Sequence, residues 1–244
     1  YGKIEKTINC NTDDRINVKI AKMEKNLNYK IYDINNGRLY TDRIQDVAVL
    51  LDGKIIKEPS FQLRYTHDSR IYNSEIKNNI VFKKGTPRRL RNLNGTVLSL
   101  LTGGGGNNNY WHWLVDVLPR IALCSKTYDL SEIDYFLLPD HIEKFQIETL
   151  DSLNISRQKR LSSKKFRHIS SKKLIVTDHP VVISGDATQD THNIPRWIIL
   201  WLREVFLNKQ SKSEKIKKNK IYIDRGESDR NYLPQRQISN EDEV

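Results

Sequence analysis

The sequence predicts an α/β domain on a parallel sheet, followed by the start of a second domain. Three observations carry that prediction. After residue 102 the chain repeats strand, loop and helix, with helices of about 10–15 residues, the rhythm of parallel strands joined by crossover helices. Gly95-Thr-Val-Leu-Ser-Leu-Leu-Thr102 is mostly apolar and bounded by turn residues, as a strand buried on both faces should be. Between Asn208 and Lys220 the chain carries six lysines, which reads as a linker, and a new strand, Lys220-Ile-Tyr-Ile-Asp224, begins at its end.

Residues 1–44 are polar, rich in Lys and Asn and without sustained period, so a peripheral, loosely structured arm is expected there. Asp46-Val-Ala-Val-Leu-Leu-Asp-Gly53 reads as a strand entering an Asp-Gly turn, with Lys54-Ile-Ile-Lys57 returning as the second strand of a hairpin. Ile80-Val-Phe82 reads as a further strand. The helix expected over 110–125 follows a glycine loop at 103–106. Asp134-Tyr-Phe-Leu-Leu138 is the next strand, 141–153 the next helix, Leu174-Ile-Val-Thr177 another strand and 195–207 another helix. No internal repeat is evident.

The 244 residues include 41 Lys+Arg and 30 Asp+Glu, a net charge of +11, and 4 Trp, 11 Tyr and 6 Phe. That aromatic content argues against a disordered chain. No apolar run reaches the roughly 18 residues of a membrane-spanning helix, and no signal segment opens the sequence. Cys10 and Cys124 stand in no CxxC or Cys/His pattern, so a disulfide scaffold or zinc site is not expected; a reducing cytoplasm is the simplest reading, a lumen with one bridge the other. Asn94-Gly-Thr and Asn154-Ile-Ser are sequons of the kind that arise by chance. The excess of Lys, Asn and Ile suggests an AT-rich coding genome, which inflates positive charge. The chain opens on Tyr1 and stops at Asn240-Glu-Asp-Glu-Val244, so both ends are expected to be cut.

The densest chemistry lies in Gly103-Gly-Gly-Gly-Asn-Asn-Asn-Tyr-Trp-His-Trp-Leu-Val-Asp-Val-Leu-Pro-Arg120. Gly105 and Gly106 belong to a loop whose backbone can approach a ligand, and Asn109 stands where the helix begins with free N–H groups suited to an anion. His112 and Asp116, four residues apart, share a helix face that Arg120 continues. Trp113, Leu114 and Val117 are expected to anchor the helix in the core. The alternative is an ordinary helix-face pair in which Asp116 fixes a partly buried imidazole. The Rossmann GxGxxG and P-loop GxxxxGK[ST] motifs are absent.

A second cluster, Arg225, Arg230 and Arg236, follows the strand at 220–224. Arginines beyond the carboxyl end of a parallel strand suit phosphate, although solvated loop charge balanced by Glu227 and Asp229 fits equally well. The basic run at 157–173, eight Lys or Arg in seventeen residues, reads as solvated loop charge, and it lacks the interleaved aromatics of a base-stacking surface. His67, His168, His179 and His192 have no metal-ligand spacing and DxD does not occur, so no metal site is expected.

Asn109-Tyr-Trp-His-Trp-Leu-Val-Asp-Val-Leu-Pro-Arg120 resembles the NYxHWLxDxLPR signature of glycosyltransferase family 61, which includes capsular polysaccharide biosynthesis proteins. Lys220-Ile-Tyr-Ile-Asp-Arg225, Arg230, Arg236 and Asn240-Glu-Asp-Glu-Val244 resemble that family's KIYISR…R…R…NExEV block, with Asp224 where the family usually has Ser. The likeness covers roughly 95–244. It implies a GT-B architecture: 45–207 a Rossmann-like acceptor-side domain, 208–219 a charged linker, and 220–244 the beginning of a nucleotide-sugar-binding Rossmann-like domain.

The activity implied is inverting transfer of a hexosyl or pentosyl group from a nucleotide-sugar donor to a glycan or lipid-linked glycan, without cofactor or obligatory metal. His112 steadied by Asp116, or Asp116 itself, is the implied base. Arg225, Arg230 and Arg236 would hold the donor diphosphate, and Gly105, Gly106, Asn109 and Arg120 would support the cleft. A cytoplasmic protein, peripheral at the inner membrane through contact with anionic lipid, fits this reading, with no specific nucleic-acid partner. The competing readings are a non-catalytic carbohydrate-binding or scaffold fragment and a basic nucleic-acid-binding protein.

Overall fold

Short apolar runs separated by helical segments become one mixed sheet with helices against it in the computed structural model of the chain. It describes residue 4 and residues 6–42, 47–60, 65–66, 69–72, 79–101, 109–181, 190 and 192–207. These fall in Tyr1–Gln210, the first of two units into which the chain divides, the second being Ser211–Val244; the linker expected at 208–219, the strand at 220–224 and the start of the second domain lie outside the described residues.

The front of the chain supplies β1 (Thr7–Ile8), β2 (Ile16–Glu24), β3 (Leu27–Asn35), β4 (Arg38–Thr41), β5 (Val47–Leu51) and β6 (Lys54–Ile56). Helix α1 (Lys57–Ser60), a small hairpin of β7 (Tyr65–Thr66) and β8 (Ser69–Tyr72), and helix α2 (Ile80–Lys84) follow. Then come β9 (Arg91–Ser99), α3 (Tyr110–His112), a π-helical turn at Trp113–Val117, α4 (Pro119–Ser125), β10 (Tyr135–Leu138), α5 (Lys144–Ser152), β11 (Arg160–Ser162), β12 (His168–Thr177) and α6 (Arg196–Phe206).

Ten strands form the sheet, in the order β1-β6-β5-β4-β12-β9-β10-β11, with β3 also on β12 and β2 on β3. The long β12 makes this possible. Its first residues pair antiparallel with β4, its last with β3, and its other edge runs parallel to β9. Strands β11, β10, β9 and β12 form an all-parallel quartet. Taken in chain order, the quartet reads third, second, first, fourth, so the strand order reverses between β9 and β12. In open α/β sheets that reversal opens a crevice at the carboxyl ends of the strands.

The last three residues of β9, the last three of β10 and the last four of β12 are buried, and these carboxyl-terminal stretches, mostly apolar, pack on both faces of the sheet. Leu98, Leu100, Phe136, Leu138 and Ile175 face a core that includes Trp113, Val117, Leu118 and Ile121 from the helical segment, Leu150 from α5, and Trp197 and Ile198 from α6. Val97, Leu101, Leu137, Leu161, Leu174 and Val176 face the opposite core, shared with Tyr32, Ile34, Leu39 and Val49 of the antiparallel strands. Each such side chain contributes on the order of 1.5–3 kcal/mol by leaving water. Gly95 sits in β9 because a Cβ there would lie 2.4 Å from Asp134 Oδ2, which accepts the Thr96 N–H at 2.7 Å.

The sequence reading holds for the β5–β6 hairpin, where Asp52 and Gly53 take φ of 47° and 75° as a tight Asp-Gly turn requires. It holds for β10 and for helices α5 and α6. Three expectations are corrected. The described residues of the expected arm at 1–44 form β1–β4, and Tyr32, Ile34 and Leu39 there are fully buried. Their lysines and asparagines occupy the more open positions and mask the pattern, as in β2, whose buried residues are Ile16 and Ala21.

Ile80-Val-Phe82 is helix α2, not a strand. The Asn79 side chain accepts the Val81 N–H at 3.1 Å, and Gly85 at φ 61° ends the helix, so local capping decides a run that periodicity leaves ambiguous. The basic run at 157–173 is not a solvated loop either: it contains β11 and the start of β12. Of its cations, Lys159 Nζ donates to the Ile133 carbonyl at 2.6 Å and Arg167 Nη2 to the Asp42 carbonyl at 3.0 Å, while Arg157 and Lys164 stay largely exposed.

Candidate active site at the sheet reversal

The helical segment after β9 begins with its own cap. Asn109 Oδ1 accepts the N–H groups of Trp111 at 2.9 Å and His112 at 3.2 Å. Two donors that the sequence offered to an anion are thus taken by the chain itself. The turn then widens: Leu118 N–H bonds the Trp113 carbonyl five residues back at 3.1 Å. Pro119 explains the widening, because it has no N–H to give the Val115 carbonyl and its ring crowds that oxygen. Such π turns frequently occur at functional sites. Trp113 and Val117 are fully buried and hold the segment to the core, as their positions suggested.

On this frame the His112 Nδ1 meets Asp116 Oδ2 at 2.5 Å. The carboxylate is 2% exposed and the imidazole 26% exposed, so the acid is enclosed while the ring reaches solvent. Trp111 lies edge-on to the imidazole with ring centres 4.9 Å apart. A carboxylate on Nδ1 fixes the ring's tautomer and leaves Nε2 as the basic nitrogen.

The other strand at the reversal contributes from the opposite side. His179 follows the carboxyl end of β12 and is fully buried, with Nε2 3.9 Å from Asp116 Oδ1. Its Nδ1 accepts the Val181 N–H at 3.2 Å, so the neutral ring carries its proton on Nε2, toward Asp116. Burial holds the His179 pKa down at about 4, against the attraction of Asp116, and the ring is neutral at ordinary pH. The Asp116 carboxylate therefore sits between two imidazoles, one open to solvent and one enclosed.

Arg120 ties the two strand ends together. It is buried, its Nε donates to the Asp116 carbonyl at 3.0 Å, and its Nη1 donates to the Thr177 carbonyl at 3.1 Å and hydroxyl at 3.3 Å. Desolvation lowers its pKa to about 10, against the pull of Asp116 and Asp178, which leaves it charged at neutral pH. Its bonds are to main chain and Thr177, so it braces the site from behind.

The structure thus brings together His112 and Asp116, with Asn109 as helix cap and Arg120 as brace. Gly105, Gly106, Arg225, Arg230 and Arg236 lie outside the described residues. His179 was missed by sequence reasoning, which looked for metal-ligand spacing. The usable signal was its place just after Leu174-Ile-Val-Thr177, a strand whose carboxyl end borders the crevice. Among the described residues no cluster of three or more His, Cys, Asp or Glu is arranged to hold a metal ion.

No curated protein matches this chain. No solved structure matches it either. The model of the family described as glycosyltransferase 61 matches residues 110–244, from the first residue of α3 through both segments that resemble the family's motifs. That match spans more than half of the chain and contains the His112–Asp116 pair, and by it the chain belongs to glycosyltransferase family 61.

Proposed function

We propose that this chain forms the acceptor side of an inverting GT-B glycosyltransferase, moving a hexosyl or pentosyl group from a nucleotide-sugar to a glycan hydroxyl in capsular or surface polysaccharide synthesis. The observation that supports it best is the His112–Asp116 contact at the sheet reversal, with a solvent-reaching ring on an enclosed carboxylate. His112 Nε2 takes the proton of the acceptor hydroxyl as its oxygen attacks the anomeric carbon. The new glycosidic C–O bond forms as the bond to the diphosphate oxygen breaks, and the nucleoside diphosphate leaves with the electron pair. Asp116 stabilises the imidazolium that results. Its enclosure and its engagement by His112 favour His112 over Asp116 as the base.

In this reading Arg225, Arg230 and Arg236 neutralise the leaving diphosphate, so the transfer needs no metal. The acceptor is a glycan, free or lipid-linked, and the protein works at the cytoplasmic face of an inner membrane in a bacterium. No described helix is long and apolar enough to cross a membrane, which is compatible with peripheral contact. The test is turnover of nucleotide-sugars by the protein and its variants. His112→Ala should lower kcat by about 10²–10⁴-fold, the usual worth of a positioned base, and Asp116→Asn by less, with donor affinity kept in both. A chelator should leave the rate unchanged. Wild-type turnover in both variants would remove the pair from the chemistry.

A further inference from the structure

On the other side of the same helical segment lies a groove that the transfer chemistry leaves unused. Tyr110 stands two residues before His112, which turns it about 200° around the helix axis, and Leu114 shares its side. With Phe145 and Glu148 of α5 and Arg203 and Phe206 of α6 they line a groove of about 520 Å³. Ligand clefts run from roughly 300 to 1,000 Å³.

The Tyr110 ring is 58% exposed yet not loose. It packs edge-on against Phe145, with ring centres 5.0 Å apart, and Phe145 packs edge-on against Trp113 at 6.4 Å. Trp113 is fully buried, and its indole N–H donates to Thr149 Oγ1 at 2.9 Å. This ladder fixes an aromatic surface in the groove before any ligand arrives, which lowers the entropic cost of binding. The rim carries one carboxylate and one guanidinium. The Glu148 carboxylate lies 3.7 Å from Lys144 Nζ in an exposed pair, and among the described residues Arg203 makes no ion pair.

A fixed aromatic surface with apolar walls, and a rim holding an acceptor and a forked donor, matches a sugar ring, which has an apolar C–H face and hydroxyls at its edge. The two rim charges are of opposite sign, which favours a neutral ligand over a phosphate or an acidic peptide. We propose that this groove binds a neutral oligosaccharide, a stretch of the acceptor glycan remote from the hydroxyl that reacts. That occupant rests on the glycosyltransferase reading, since only a glycan acceptor brings a long sugar chain to this protein.

Equilibrium binding to labelled glucan, xylan and mannan oligosaccharides, with no nucleotide-sugar present, tests the groove separately from turnover. At least one series should bind, more tightly as the chain lengthens. Tyr110→Ala should weaken that binding about tenfold, Arg203→Ala should weaken it less, and Tyr110→Phe should retain it. Circular dichroism of the variants separates lost contact from lost fold. Absence of binding in every series would overturn the proposal. So would binding lost in His112→Ala but unchanged in Tyr110→Ala, which places the sugar in the crevice. Self-association abolished by Tyr110→Ala, with no sugar affinity, would make the groove an interface between copies. If the sugar-transfer reading alone is wrong, turnover is absent while the binding series stands.

Discussion

Strands β9–β12 and strands β2–β6 belong to one sheet, yet they deliver their chain ends differently. In the parallel quartet every carboxyl end points the same way, so the segments after β9 and β12 converge. That brings His112 and Asp116 from one connection beside His179 from another. Among β2–β6 the pairs β2–β3, β4–β5 and β5–β6 run antiparallel, which sends successive connections to opposite ends of the sheet. The antiparallel half completes a core, with Tyr32, Ile34, Leu39 and Val49 packed among quartet residues. Strand direction, more than composition, separates the half that carries the candidate site from the half that completes the core.

The sharpest way to break this contrast is at Arg120, which bonds both connections of the crevice. Arg120→Ala leaves the Asp116 and Thr177 carbonyls without their donor inside the core. Leaving a buried acceptor without its donor costs about 1–3 kcal/mol for each carbonyl. For a domain of this size the two together give a drop of roughly 10 °C in melting temperature. Arg120→Lys should recover only part of it, because an ammonium lacks the fork that reaches both carbonyls. A melting temperature within a degree of wild type for Arg120→Ala would mean that the two connections are held independently.

The next effect is a pH dependence lodged in the same half. Burial holds the His179 pKa at about 4 in the folded protein, below its ordinary 6.5. Below pH 6.5 the unfolded chain takes up a proton that the folded chain refuses until near pH 4. Stability is therefore full above 6.5 and is lost as pH falls through that window, by roughly 3 kcal/mol. His168, also pushed down by burial, acts in the same direction. Urea unfolding across pH 4–7 should show the slope, and His179→Asn should flatten it while keeping an acceptor for the Val181 N–H. An unchanged slope in His179→Asn would place the protonation elsewhere.

How much of this was legible in the sequence follows the same division. Val97–Leu101 and Tyr135–Leu138 announced themselves because strands buried on both faces are mostly apolar, Ser99 being the one buried hydroxyl of the two runs. The His112–Asp116 pair was legible because its four-residue spacing is local to one helix. His179 was not, since its proximity to Asp116 depends on β9 and β12 being neighbours at the reversal, which no local spacing encodes. Strands β2–β4 were hidden by lysines and asparagines on their open positions. The basic run at 157–173 misled for a related reason. Charge in a sequence reads as solvation, whereas Lys159 and Arg167 spend theirs on backbone carbonyls.

The smallest effect sharpens the comparison from the other side. Asn79 is fully buried beside the antiparallel half, where it caps α2 through Val81 and donates to the Val47 carbonyl at 3.4 Å. Asn79→Ala removes the cap and leaves that carbonyl without its side-chain donor, at a cost of about 1–2 kcal/mol. Asn79→Asp keeps an acceptor for the Val81 N–H but loses the donor, so it should recover part of the loss. Val81 of α2 packs in a buried cluster with Ile4, Tyr40, Ala48, Leu50 and Ile55, all away from the candidate site, so turnover and donor affinity should stay at wild-type levels in both variants at temperatures where they remain folded. Denaturant unfolding alongside kinetics reads both quantities. If Asn79→Ala lowered kcat while the protein stayed folded, the antiparallel half would be coupled to the crevice, and the division of labour drawn from strand direction would fail.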